Sequence, residues 1–228
     1  MKKFKLFTIL TFVTSAFVLS GCKKDDPTPG PYTILNNPYV KAAINQSSTS
    51  VYYGTNPPAL AGTYSTNGSV TDASSILSSM TGASINTVFV LSNQTTSGKI
   101  DFEERVSGIT ASGTGGYIIG ANGNFTIVGE SPQSGSKAGL PDGVSITVAL
   151  VMSGTQSTDG NLTNVEGLSV ITKANSTNPS YNVSVIQGAW WKWDATFYLQ
   201  QVNSSPVKSA VNCSNQILIQ KALQSIMK

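Results

Sequence analysis

Glu104 is the residue whose type and position most directly suggest chemistry. Apolar and polar residues alternate from Ile100 to Val106, which places Glu104 on the apolar face, between Phe102 and Val106. A carboxylate on such a face loses hydration, so its pKa rises unless a partner compensates. Glu104 is therefore either an acid inside a ligand cavity or a residue at the strand's rim, where a bulge turns it outward.

The stretch Ala189–Asp194 holds all three tryptophans of the chain. Alternation places Trp191 and Trp193 on the apolar face, where we expect them to fill core, and Trp190 on the opposite face. An exposed indole ring beside polar residues can stack on a sugar ring; otherwise Trp190 is a partly covered surface residue. Trp190 and Glu104 are thus the two possible ligand-binding residues.

No catalytic constellation stands out in the sequence. The chain has no histidine, which removes His-based triads, His zinc sites and the usual general base near neutral pH. Carboxylates such as Glu104, Glu130 or Asp194 leave a hydrolase as the least favoured hypothesis. The loop Thr158–Asn164 has one carboxylate where calcium sites gather several, so we predict a hairpin turn. We expect no enzymatic activity, no metal and no cofactor.

The elements that must position these residues are predominantly strands. Period-two alternation and turn signals predict eight or nine of them after Thr63, the longest from Ala189 to about Val202, with another at Tyr181–Ile186. Asn122-Gly123 between apolar runs predicts a tight hairpin. The fold class is all-β: a single antiparallel up-and-down barrel, lipocalin-like in layout, or a β-sandwich. Helical spacing from Ile217 to Met227 predicts a short C-terminal amphipathic helix.

The first residues have the pattern of an export signal. Met1–Lys5 carries three positive charges, an uncharged apolar run follows to about Leu19, and Leu19-Ser20-Gly21-Cys22 ends it. This last stretch resembles the lipobox of bacterial lipoproteins, which signal peptidase II cleaves. The resemblance implies that residues 1–21 are removed and that Cys22 receives diacylglycerol and a further acyl chain, such as palmitate. Those chains would anchor the protein to a membrane.

Residues 22–31 form the predicted tether, and residues 32–228 a single β-rich domain. The charged run Lys23–Asp26 and the prolines after it favour an extended spacer. That run resembles the export signal of Bacteroidota-type surface lipoproteins, which implies the cell surface of the outer membrane; the alternative is a plain tether facing the periplasm. The stretch from Tyr53 to Tyr64 resembles the start of several Bacteroidota lipoproteins and implies no catalytic role.

Charge and cysteine content limit the partners. Without Lys2, Lys3 and Lys5, 14 − 3 = 11 basic residues face 11 acidic ones, so no basic field is present to hold nucleic acid. With Cys22 carrying lipid, Cys213 has no partner within the chain, and we expect it to be a buried or semi-buried small residue.

The sequence therefore favours a membrane-anchored, non-enzymatic binding or accessory domain, for a glycan or another nutrient. The alternative is a different kind of function: a structural lipoprotein that docks on an outer-membrane protein and binds no small molecule. An exposed aromatic platform would favour the first hypothesis, and a broad apolar patch the second.

Overall fold

The protein is a closed antiparallel β-barrel in a computed structural model that describes residues 30–106, 109–135 and 140–200. The strands are β1 (Gly62–Ala73), β2 (Ser84–Ile85), β3 (Val88–Ser92), β4 (Lys99–Val106), β5 (Ile109–Ala121), β6 (Asn124–Ser134), β7 (Val144–Gln156), β8 (Leu162–Ser176) and β9 (Trp190–Leu199). Eight of them close the barrel in the order β1-β3-β4-β5-β6-β7-β8-β9, because β9 pairs back onto β1. The barrel expectation is confirmed over the sandwich.

The predicted hairpins are present. Asn122 and Gly123 have φ values of 56° and 80° and connect β5 directly to β6, the geometry that Asn-Gly accepts at little cost. The loop that contains Asp159 connects β7 to β8, and the backbone N–H of Asn161 donates to Oδ1 of Asp159 at 3.1 Å. It is a hairpin turn, as expected.

Two separate apolar clusters fill the barrel. The first contains the aromatic side chains Tyr64, Phe89, Phe102, Phe125, Trp193 and Phe197. The second contains Val70, Val144, Val148 and Ile171, and it is closed by buried side chains of two short 3-10 helices, Ser75–Met80 and Val183–Ile186. On β1, Tyr64 belongs to the first cluster and Val70 to the second. The residues between them on the same face are Thr66, which is polar, and Gly68, which has no side chain.

Two helices cover one side of the barrel from outside. They are α1 (Pro31–Leu35) and α2 (Pro38–Ser47), each with proline in its first turn. Asn37 caps α2 by accepting from the backbone N–H of Tyr39 at 3.0 Å. Their buried residues join a third cluster with outward-facing side chains of β5 to β9, including Val128, Val151, Leu168 and Trp190.

The expected strand at Tyr181–Ile186 is wrong. Val183–Ile186 is a 3-10 helix, because β8 and β9 pair directly with each other and leave no ladder for a strand between them. Strand β9 covers Trp190–Leu199, while β8, with 15 residues, is longer. Cys22, residues 23–29 of the tether, Cys213 and the predicted C-terminal helix lie outside the described residues. The last residue of the predicted tether, Pro31, begins α1 instead of continuing an extended spacer.

Candidate ligand site in the barrel interior

Glu104 lies on the inner surface of the barrel. It is paired with Phe89 across the β3–β4 ladder and alternates with Phe102, and both phenylalanines belong to the first interior cluster. Side chains directly opposite each other in such a ladder have Cβ atoms about 5 Å apart. The carboxylate therefore projects into the interior beside aromatic rings, and no bulge turns it outward.

The surroundings of Glu104 raise its pKa to about 7, because burial among apolar groups disfavours the ionised form. Within the described part of the chain, no hydrogen bond or ion pair reaches its carboxylate. Yet Glu104 keeps partial accessibility, whereas Phe89 and Ile100, which face the same interior, are buried. The carboxyl group therefore lies inside the barrel without being fully enclosed by the neighbouring side chains.

Glycines shape the wall next to Glu104. Gly113 on β5 and Gly129 on β6 present no side chain to the interior, and the ring of Phe102 lies against both. A methyl group at either glycine would collide with that ring. These two glycines therefore let the ring of Phe102 lie along the wall, two residues before Glu104 on β4 and on the same face.

One pair of buried threonines in the interior shows the usual arrangement of polar groups there. Thr66 and Thr87 are both buried, their hydroxyl oxygens are 3.1 Å apart, and the backbone N–H of Thr87 donates to Oγ1 of Thr66 at 2.9 Å. This pair satisfies its own hydrogen-bonding groups, as buried polar groups usually do. Glu104 differs from this pair because its carboxylate has no hydrogen-bond partner among the described residues.

Trp190 is not an exposed platform. It does lie on the face opposite Trp193, as alternation predicted, but only 6% of it is exposed. Helix α2 covers it, and its indole Nε1 donates to Oε1 of Gln46 at 3.0 Å. The expectation of an exposed ring is wrong because the segment before β1 packs on the outside of β8 and β9. Trp193 is buried in the interior, and Trp191 is partly buried against both interior clusters.

The three acids considered for hydrolysis are not brought together. Glu104 is inside the barrel, whereas Glu130 and Asp194 are on its outer surface. Oε1 of Glu130 accepts from the hydroxyl of Thr172 at 3.4 Å. Burial raises the pKa of Asp194. The positive charge of Lys192 opposes this rise, and the negative charge of Glu166 adds to it. The wall of the barrel thus separates Glu104 from the other two carboxylates.

A second polar site fixes the N-terminal segment to the outer wall. The carboxylate of Glu166 accepts from the backbone N–H of Ser50 at 3.1 Å and lies 3.2 Å from Nζ of Lys192. Burial opposes ionisation here, but the bonds from Ser50 and the charge of Lys192 hold the pKa of Glu166 below its ordinary value. Nζ of Lys192 also donates to the carbonyl of Ser47 at 3.4 Å. Through Ser50 and Lys192 this carboxylate connects the N-terminal segment to β8 and β9, which is a structural role.

The sequence indicates a short helix at Asn37–Ile44, which α2 confirms, but sequence reasoning missed α1 and the covering of the outer wall by both helices. Its signals were Gly30-Pro31 and Asn37-Pro38, each a favourable start for a helix. In the described ranges, no cluster of three or more acidic or cysteine side chains is arranged to hold a metal ion. No helix among them is long and apolar enough to cross a membrane.

The chain matches no protein-family model, and searches of curated proteins and of solved structures found no match to it either.

Proposed function

We propose that this protein is a membrane-anchored, non-enzymatic binding protein whose barrel takes a small ligand at Glu104. The observation that supports this most is the carboxyl group of Glu104, which faces the interior without a partner among the described residues. An unpaired buried polar group costs about 1–3 kcal/mol. A ligand that completes its hydrogen bonding would recover that cost.

The chemistry around Glu104 favours a small, mostly apolar molecule that carries one ammonium group. A cation beside the carboxylate compensates for its lost hydration. The aromatic ring of Phe89, opposite on β3, adds a face on which a cation is attracted. An eight-stranded barrel has an interior wide enough for side chains and, where these leave room, for one small ligand.

Titration calorimetry with octylamine and octanol tests this ligand class. Octylamine is expected to bind the natural protein, and Glu104→Gln to weaken it by about tenfold or more, since the ion pair is lost. Octanol has the same chain length but no charge, so its affinity is expected to change much less on the Glu104→Gln substitution. Glu103→Gln is the matched control, because Glu103 is the neighbouring acid and pairs with Arg105 on the outer surface. Equal octylamine affinity in the natural protein and Glu104→Gln would exclude the site.

The proposed location is the outer membrane, with lipid on Cys22 and the barrel at the cell surface. The lipobox pattern supports the anchor, and the run Lys23–Asp26 supports the surface over the periplasmic face. A binding domain held there would capture nutrient-sized molecules for a partner in the same membrane. Trp190 has no part in this proposal because it is buried beneath α2.

A further inference from the structure

Exposed tyrosines are concentrated at the start of the described chain. Tyr32, Tyr39 and Tyr53 are all exposed, and Tyr198 is the remaining exposed aromatic residue within the described ranges. Tyr32 and Tyr53 form a pair with parallel rings, 1° apart in plane and 6.4 Å between centroids. We refer to Tyr32 and Tyr53 as the tyrosine pair.

The barrel wall fixes the backbone on both sides of the tyrosine pair. Ile34 and Leu35, which follow Tyr32 in α1, are buried in the outer cluster. The backbone N–H of Tyr52 donates to Oγ1 of Thr126 at 2.7 Å. The N–H of Asn56 donates to the carbonyl of Gly120 at 3.0 Å. Two rings that are 54% and 61% exposed are therefore presented by an ordered backbone, although exposure of large apolar surface has a solvation cost.

The charge of this segment is also unusual. From Gly30 to Thr71 there is no acidic residue, and Lys41, which is exposed, is the only charged one. Such a segment has no carboxylate to be repelled by anionic headgroups. Tyrosine, with an apolar ring and a polar hydroxyl, is enriched where membranes meet water.

The tether keeps the tyrosine pair close to the proposed anchor. From Cys22 to Tyr32 there are 32 − 22 = 10 residue steps, which span at most about 35 Å when fully extended. We propose that the tyrosine pair rests in the headgroup layer of the membrane to which Cys22 is anchored. This inference depends on the proposed anchoring of the chain.

The test installs the anchor chemically, so that it does not depend on lipidation by a cell. The chain from Cys22 onward, with Cys213→Ser to leave a single thiol, is coupled through Cys22 to maleimide lipid. The vesicles contain phosphatidylethanolamine and phosphatidylglycerol. Hydroxyl-radical labelling followed by mass spectrometry then measures the accessibility of each tyrosine, with the uncoupled protein as reference.

Labelling of Tyr32 and Tyr53 is expected to fall about threefold or more on the vesicles, since rings in the headgroup layer are shielded from bulk water. Tyr198, which is 50% exposed, serves as the internal control and should keep its labelling rate. Equal labelling of all three tyrosines, or protection of Tyr198 instead, would overturn the proposal. Protection of the tyrosine pair by soluble oligosaccharides but not by vesicles would also overturn it and would indicate a glycan site. A failure of docking in this assay leaves lipidation of Cys22 to be decided separately by acyl labelling in cells.

Discussion

The indole N–H of Trp190 donates to the side-chain oxygen of Gln46 at 3.0 Å and so joins the final barrel strand to helix α2, 144 residues earlier in the chain. Around this bond, Val40 and Ala43 of the helix pack in the same cluster as Trp190. The covering helices are therefore part of the barrel's folded core and not an appendage to it.

Removal of the Trp190 ring should strongly destabilise the protein. Truncation of a buried tryptophan typically costs about 3–5 kcal/mol, a large part of the stability of a domain. We expect Trp190→Ala to lower the free energy of unfolding by that order, measured by urea denaturation. Tyr198→Ala is the control on the same strand, since that side chain is half exposed. A Trp190→Ala variant as stable as Tyr198→Ala would show that α2 does not pack on β9.

Ionisation of Glu104 should make the protein less stable as the pH rises. Its pKa is about 7 in the folded state against an ordinary 4.5, so the folded state holds the proton more tightly than the unfolded state. The stabilisation is complete below about pH 4.5 and is lost as the pH rises through 7, with a total of up to about 3 kcal/mol. Tyr64 does not contribute in this range, because burial raises its pKa above the ordinary 10.0.

The variant that isolates this effect is Glu104→Gln. The glutamine cannot ionise, so the variant should match the natural protein near pH 4.5 and exceed its free energy of unfolding near pH 8. Denaturant titrations across this range provide the measurement, and Glu103→Gln is again the control. If the stability profiles of Glu104→Gln and the natural protein run parallel, the carboxyl is not desolvated.

Loss of Glu166 should release the N-terminal segment from the barrel wall. Glu166→Ala removes the acceptor of the Ser50 amide and the charge partner of Lys192. We expect faster hydrogen–deuterium exchange at Ser50 and Tyr52, because their amides would open to water more often. The amide of Phe89, on β3 between β1 and β4 and outside the cluster that the helices cover, should exchange at its original rate. Unchanged protection of Ser50 would mean that the apolar contacts of α2 alone hold the segment.

Lipidation and exposure can be tested in cells. Cys22→Ala should abolish metabolic labelling with a palmitate analogue and leave unprocessed or soluble protein. Persistent acyl labelling of Cys22→Ala would refute the anchor.

Exposure at the cell surface is a separate prediction. Protease added to intact cells should remove the domain, and replacement of Lys23–Asp26 by alanine should protect it. Protease resistance of the natural protein, with an intact outer membrane, would favour the periplasmic face.

Local pattern was enough to predict the strands, several turns and the direction in which side chains point. Alternation placed Glu104 and Trp193 on one face and Trp190 on the other, because successive side chains in a strand alternate whatever the rest of the chain does. Asn122-Gly123 specified its turn for the same reason: the backbone conformation depends on the two residues themselves.

Tertiary structure alone decided what lies against each face. Closure of β9 onto β1 turned the apolar face into a barrel interior and gave Glu104 its raised pKa. The packing of α2 buried Trp190, and the direct pairing of β8 with β9 excluded a strand at Tyr181–Ile186. Each of these outcomes depends on contacts between segments far apart in sequence, and periodicity within one segment carries no information about which distant segment will cover it.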